Sequence, residues 1–235
     1  MFSSAVICTA ALFFISPLVQ DESYHNFCDS KMVLNVPNFW NVVSNLPFLI
    51  VGILGVFKTC KFQNSKIQYL LFFLGISFVS IGSGYYHWSP SNSTLVWDRL
   101  PMTIAFMSLF SIIISEFIND TLGKKLLFPT VLIGLFSVIY WQFFDDLRIY
   151  VLVQFYPMIA IPVILLFFTS KYNLTYGYWV LSAAYFIAKI FEYFDHEMDV
   201  WFNGISGHPL KHITAALGIF FLLFTYLRRE EHITK

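Results

Sequence analysis

The sequence predicts an all-α, polytopic membrane protein: a seven-helix transmembrane bundle with an extra N-terminal transmembrane helix. Three observations predict it. Charged residues make up 12% of the 235 residues and hydrophobic ones 57%, whereas soluble domains carry roughly 25% charge. Mean hydropathy is +0.67. Apolar runs near the ~20 residues that span a bilayer recur along the chain, separated by short polar segments. Net charge is zero, so a nucleic-acid partner has no electrostatic support.

The runs come in order. Residues 4–19 form the first, slightly short. Met1-Phe2-Ser3-Ser4 lacks the positive region of a signal peptide, so a retained anchor over 1–20 is favoured. A polar loop, 21–37, carries Asp21, Glu22 and Asp29. Seven further spans are expected over 38–57, 68–87, 99–118, 126–143, 149–169, 175–194 and 209–227. Pro157 and Pro162 inside the 149–169 span are tolerated in membrane helices. One domain, 38–228, is followed by a short tail, 229–235. Lys58, Lys61, Lys66, Lys124, Lys125, Lys171, Arg228 and Arg229 fall on one side, which the positive-inside rule makes cytoplasmic, with both termini. Cys8, Cys28 and Cys60 show no CxxC spacing and imply neither disulfide nor thiolate metal site.

Residues 82–102 carry Ser83, His87 and Asp98 where the chain meets the membrane edge. Ionisable groups there are costly and point to function. His87, His196, His208 and His212 fall at the same ends of three separate segments, whereas His25 and His232 read as solvated. His208 and His212 are four apart, so a helix puts them on one face; Pro209 suits a first helical position, with His208 as the cap. Taken alone, such a pair reads equally as two hydrogen-bonded histidines. Together with His87, three imidazoles and a water complete a zinc site of the catalytic type. Zinc lowers the pKa of bound water and polarises a carbonyl. Asp98 is the candidate proton acceptor, with a helix N-cap as the plainer role. Ser83 is a candidate oxyanion donor, or a hydroxyl bonding its own helix.

Glu192 and Asp195 are candidates to hold the ligand histidines from behind, although Lys189 and Glu192, three apart, suit an ion pair. Asp29 and Asn38 belong to a set of oxygen ligands suited to calcium, unless the loop is merely acidic and solvated.

At these residues the chain resembles the alkaline ceramidase family, within the intramembrane hydrolase superfamily that includes the adiponectin-type receptors. The segments that carry the resemblance are Asn38–Phe48, Gly82-Ser83 with His87, Asp98-Arg99-Leu100-Pro101-Met102, and Ser206–His212. The Tyr85–Ser89 and Trp97–Met102 wording looks like the bacterial members. The resemblance implies a seven-helix bundle around an intramembrane zinc held by His87, His208 and His212. It implies Ser83 and Asp98 at the catalytic site, and hydrolysis of ceramide, drawn from the bilayer, to a sphingoid base and a fatty acid. The chain departs from the family's calcium motif: Asn26-Phe27-Cys28-Asp29 is the nearest match, and Asn38 stands where a Glu is usual. A heptahelical receptor with a structural zinc, or a hydrolase of a different N-acyl lipid, is the alternative.

Overall fold

The computed structural model describes residues 12, 14–62 and 65–231. Most of the expected 4–19 helix lies outside them, as do Cys8 and His232. Among the described residues the regular structure is helical, apart from two isolated β-bridges. The helices are α1 (Phe39–Val43), α2 (Leu46–Lys58), α3 (Lys66–Trp88), α4 (Asn92–Phe117), α5 (Asp120–Phe144), α6 (Arg148–Phe167), α7 (Tyr176–Tyr193), α8 (Asp195–Trp201) and α9 (Gly207–Arg228).

Among the described residues, six segments are long and apolar enough to cross a membrane: α1–α2 together, α3, α4, α5, α6 and α9. The chain is an all-α polytopic membrane protein. α7, expected as a span over 175–194, is not among the six. Four tyrosines and the Lys189–Glu192 pair lower its hydropathy, yet it packs along α9 as a member of the bundle. α2 packs on α3, α3 on α4, α4 on α5 and α6, and α7 on α9; α9 returns to α2 and closes the ring. α4 is the most enclosed span, 78% buried, against 33% for α5 and for α6. It is the helix around which the others are arranged.

Two prolines shape the ends that matter. Pro47 has no N–H for the Val43 carbonyl and its ring crowds that carbonyl, so α1 stops at Val43. The break is stitched: the Ser80 hydroxyl donates to the Asn45 carbonyl at 2.7 Å, and Asn45 Nδ2 to the Asn41 carbonyl at 2.8 Å. Pro101 likewise leaves the Trp97 carbonyl without its helical partner. That carbonyl lies against Gly82 of α3, where any Cβ would collide with it. Gly82 therefore sets how closely α3 and α4 approach, one residue from Ser83 and one from Asp98.

α4 also begins earlier than its apolar run suggests. Ser91 caps it and forms a capping box with Thr94, so helix starts at Asn92 rather than near residue 99. Asp98 is thus inside the helix and is not its N-cap. The segment before the 21–37 loop is tied to the α5–α6 connection. Arg148 Nη1 donates to the Ile15 carbonyl at 2.6 Å, and Leu147 N–H to the Leu18 carbonyl at 2.8 Å.

A second polar cluster closes the opposite end of the bundle. Glu116 accepts from Tyr69, from Tyr178 at 2.7 Å and from Arg229 at 2.9 Å, all buried or nearly so.

Candidate metal centre and cavity

His87 stands in the last turn of α3, and His208 and His212 in the first turns of α9. All three are buried, at 1%, 3% and 5% exposure, although imidazoles ordinarily seek water or a partner. α9 begins at Gly207, so His208 is a helical residue and not the cap. The i,i+4 pair then lies fully on one face. Gly207 permits this placement: a Cβ there would collide with the Phe191 carbonyl of α7.

The rings converge. Their centroids are 4.7 Å apart for His87–His208, 5.1 Å for His87–His212 and 4.8 Å for His208–His212. The two Nε2 atoms of His87 and His208 are 3.1 Å apart. One nitrogen from each residue lies within 4.8 Å of the other two, and among the described residues this is the group of histidine, cysteine or acid side chains that could hold a metal ion. His87 Nδ1 is buried without a hydrogen-bond partner. Three neutral nitrogen donors with no carboxylate or thiolate among them suit a borderline metal such as zinc. The set fits the ion.

The His212 ring is oriented from behind. The Ser44 hydroxyl lies 2.8 Å from His212 Nδ1, which leaves Nε2 facing the other two rings. Ser44 sits at the α1–α2 break, where the interrupted helix lets a side chain turn inward. In the sequence it carries no signal, because a serine inside an apolar run has no distinguishing spacing.

The residues expected to support the histidines act otherwise. Asp195 Oδ1 accepts the backbone N–H of His208 at 2.6 Å, and its Oδ2 the Cys28 N–H at 3.1 Å. It caps α9 and pins the 21–37 loop, and the imidazole bond comes from Ser44 instead. Glu192 is taken up by Lys189 and by Lys211, the latter at 3.0 Å. The two lysines compensate the half-buried carboxylate and leave it unavailable to a ring.

The calcium candidates are also engaged in holding backbone. Asp29 is buried and accepts the N–H of Asn41 at 3.0 Å and of Lys31 at 3.3 Å. Asn38 Nδ2 donates to the His87 carbonyl at 2.8 Å, satisfying an end carbonyl of α3. His25, expected to be solvated, links the loop to the bundle through the Tyr86 hydroxyl at 2.8 Å and Asn92 Oδ1 at 3.1 Å. His196 stays apart from the other three and meets Cys28 Sγ at 2.8 Å. Burial and the Asp195 carboxylate push the Cys28 thiol up, so this pair is not an activated nucleophile.

Beside the histidines lies a cavity of about 320 Å³. Its wall is mostly apolar, with Phe48, Phe72, Ile76 and Leu109 along it. Ser83, Asp98 and His212 share that wall. Ser83 and Asp98 both face the space that His212 borders. A carboxylate, a hydroxyl and one imidazole of the buried histidine cluster thus share the wall of a mostly apolar cavity.

Residues 19–202 match the model of the ceramidase family. The chain belongs to the ceramidase family. The matched segment contains Ser83, His87 and Asp98 and ends ahead of His208 and His212, which the structure itself brings to His87. A comparison with curated proteins finds no match. The family makes ceramide hydrolysis, at an amide bond, the general activity, and a lipid of the membrane the substrate.

Proposed function

We propose that this ceramidase-family protein is a zinc-dependent amidase of the membrane, cleaving ceramide-type N-acyl sphingolipids to a sphingoid base and a fatty acid. One observation carries the reading: three buried imidazoles converge beside a mostly apolar cavity whose wall holds one of them, His212, with Ser83 and Asp98. His87, His208 and His212 would hold the ion through ring nitrogens, with Ser44 fixing the His212 ring. Bound zinc supplies an acidified water and a Lewis acid for the amide carbonyl.

The chain's own groups do the rest. The apolar wall takes the acyl chain and excludes water from competing hydrogen bonds. Asp98 accepts a proton as the water oxygen bonds to the carbonyl carbon, then returns it to nitrogen as the C–N bond breaks. The products are a carboxylic acid and a free amine, so atoms and protons balance. Ser83 is placed to donate to the developing oxyanion. On the loop charges, we place both termini in the cytoplasm and the histidine end of the bundle on the far side, within one domain over 38–228.

The test is product analysis by mass spectrometry on ceramides and other N-acyl lipids, with zinc measured on the same protein. Release of sphingoid base by wild type, abolished by His212→Ala together with metal loss, is the expected result. Full hydrolysis by metal-free His212→Ala protein would sink the proposal.

A further inference from the structure

Arg99 is a buried cation that makes no ion pair. It is 6% exposed, yet it lines the cavity beside Asp98. All 14 acidic residues of the chain are among the described residues, and none makes an ion pair with it. Its Nη2 donates to Gln20 Oε1 at 2.7 Å, a neutral partner. Its Nη1 is buried with no hydrogen-bond partner at all. The rest of its stabilisation comes from aromatic faces: Trp141 at 4.2 Å, Tyr150 at 4.6 Å and Tyr24 at 5.7 Å.

The half-buried cations contrast with it. Arg229 has Glu116, Arg148 has Asp146, and Lys189 and Lys211 share Glu192. Three of the cations line the same cavity (Arg99, Lys189, Lys211) against two carboxylates, Asp98 and Glu192. One positive charge is left over. An uncompensated guanidinium is costly in a low-dielectric interior, so such a residue marks a binding site. The planar fork suits an oxyanion: carboxylate, phosphate or sulfonate.

We infer that Arg99 is the anchor of an anion subsite in this cavity, taking an anionic oxygen group of a bound lipid. Gln20 and the Trp141–Tyr150 faces hold the guanidinium in place, and the open Nη1 is the donor that the lipid fills. Two sources share that chemistry: an acidic headgroup on the substrate, or the carboxylate of the released fatty acid. The assignment of a hydrolysed substrate rests on the amidase reading; the binding site does not.

The experiment has a binding arm and a kinetic arm, both on purified zinc-loaded protein. In the first, hexadecyl phosphate and hexadecanol are titrated against wild type and Arg99→Gln. The expected result is at least tenfold tighter binding of the phosphate by wild type. Arg99→Gln should lose that preference while binding hexadecanol within threefold of wild type. Equal affinities in wild type overturn the proposal even if Arg99→Gln does not fold. A preference kept by folded Arg99→Gln overturns it too. In the kinetic arm, ceramide is compared with ceramide 1-phosphate, and hexadecanoate is tested as an inhibitor. A headgroup source gives wild type a tenfold higher kcat/KM for the phosphorylated lipid, lost in Arg99→Gln. A product source gives no headgroup preference but a tenfold weaker inhibition by hexadecanoate in Arg99→Gln. If neither lipid is cleaved while the binding preference holds, the anion subsite stands and the amidase reading falls.

Discussion

His87 Nε2 and His208 Nε2 face each other across 3.1 Å, one from the end of α3 and the other from the start of α9. Two neutral imidazoles can share one hydrogen there. That does not account for His212, which closes a near-equilateral triangle of rings, or for the unpartnered His87 Nδ1. A metal ion bound by all three accounts for the convergence. The expected measurement is about one zinc per chain by elemental analysis, as three histidines with an open fourth position hold. His87→Ala and His208→Ala should each lose it. Because a ligand bound only by the folded state adds stability, chelation should lower the melting temperature of wild type but not of these variants. Equal melting with and without chelator in wild type would count against a bound ion.

Ser44 tests the orientation of the third ligand. Its hydroxyl meets His212 Nδ1 at 2.8 Å. Removing such a partner typically weakens metal binding about 10–100-fold. Ser44→Ala should therefore keep the fold, bind zinc more weakly by that factor in a competition titration, and recover activity at raised zinc. Unchanged zinc affinity would mean the bond is incidental.

Asp98 and Ser83 separate the two catalytic assignments. Asp98→Asn preserves shape inside α4 but cannot take a proton. The expected loss is about 10²–10⁴-fold in kcat, with zinc retained. Ser83→Ala removes a hydroxyl donor from the cavity wall that Asp98 shares. If Ser83 donates to the oxyanion, kcat falls by about 10²–10³-fold with KM little changed. A loss below threefold would leave Ser83 as a packing hydroxyl.

Much of the bundle was legible because membrane spans announce themselves by length and hydropathy. The 68–87, 126–143, 149–169 and 209–227 runs reappear as α3, α5, α6 and α9 with small changes of boundary. The exceptions each have a local cause. α4 reaches back to Asn92 because the Ser91–Thr94 capping box starts a helix in a polar stretch, and that overturns the cap role for Asp98. α1 and α2 part at Ser44-Asn45 because of Pro47, a break that hydropathy does not register. The histidine triad was legible from spacing and depth. What surrounds it was not: Ser44 looked like filler, and Glu192 turned out to serve two lysines, one of them in α9. Arg99 opens the expected 99–118 span in sequence and is buried in the fold. Position in the sequence does not report burial, which here depends on neighbours from the 20–24 segment, α5 and α6.

The far end of the bundle supplies a control for stability apart from chemistry. Glu116 and Asp98 are 18 positions apart on α4, about 27 Å at 1.5 Å per residue. The Glu116 side chain is 1% exposed and pairs with Arg229 at 2.9 Å, with Tyr178 donating at 2.7 Å. Breaking one side of a buried pair costs about 3–5 kcal/mol, because the other charge is left in the interior. Glu116→Gln should therefore lower the melting temperature by roughly 6–20 °C, at about 2–4 °C per kcal/mol for a chain of this size. KM and kcat below the transition should stay within about twofold, since no cavity residue is touched. Replacing both partners, Glu116→Leu with Arg229→Met, removes the stranded charge and should restore most of the loss. If the double variant melts lower than Glu116→Gln alone, the ion pair is itself the source of stability at this end, and the desolvation account is wrong.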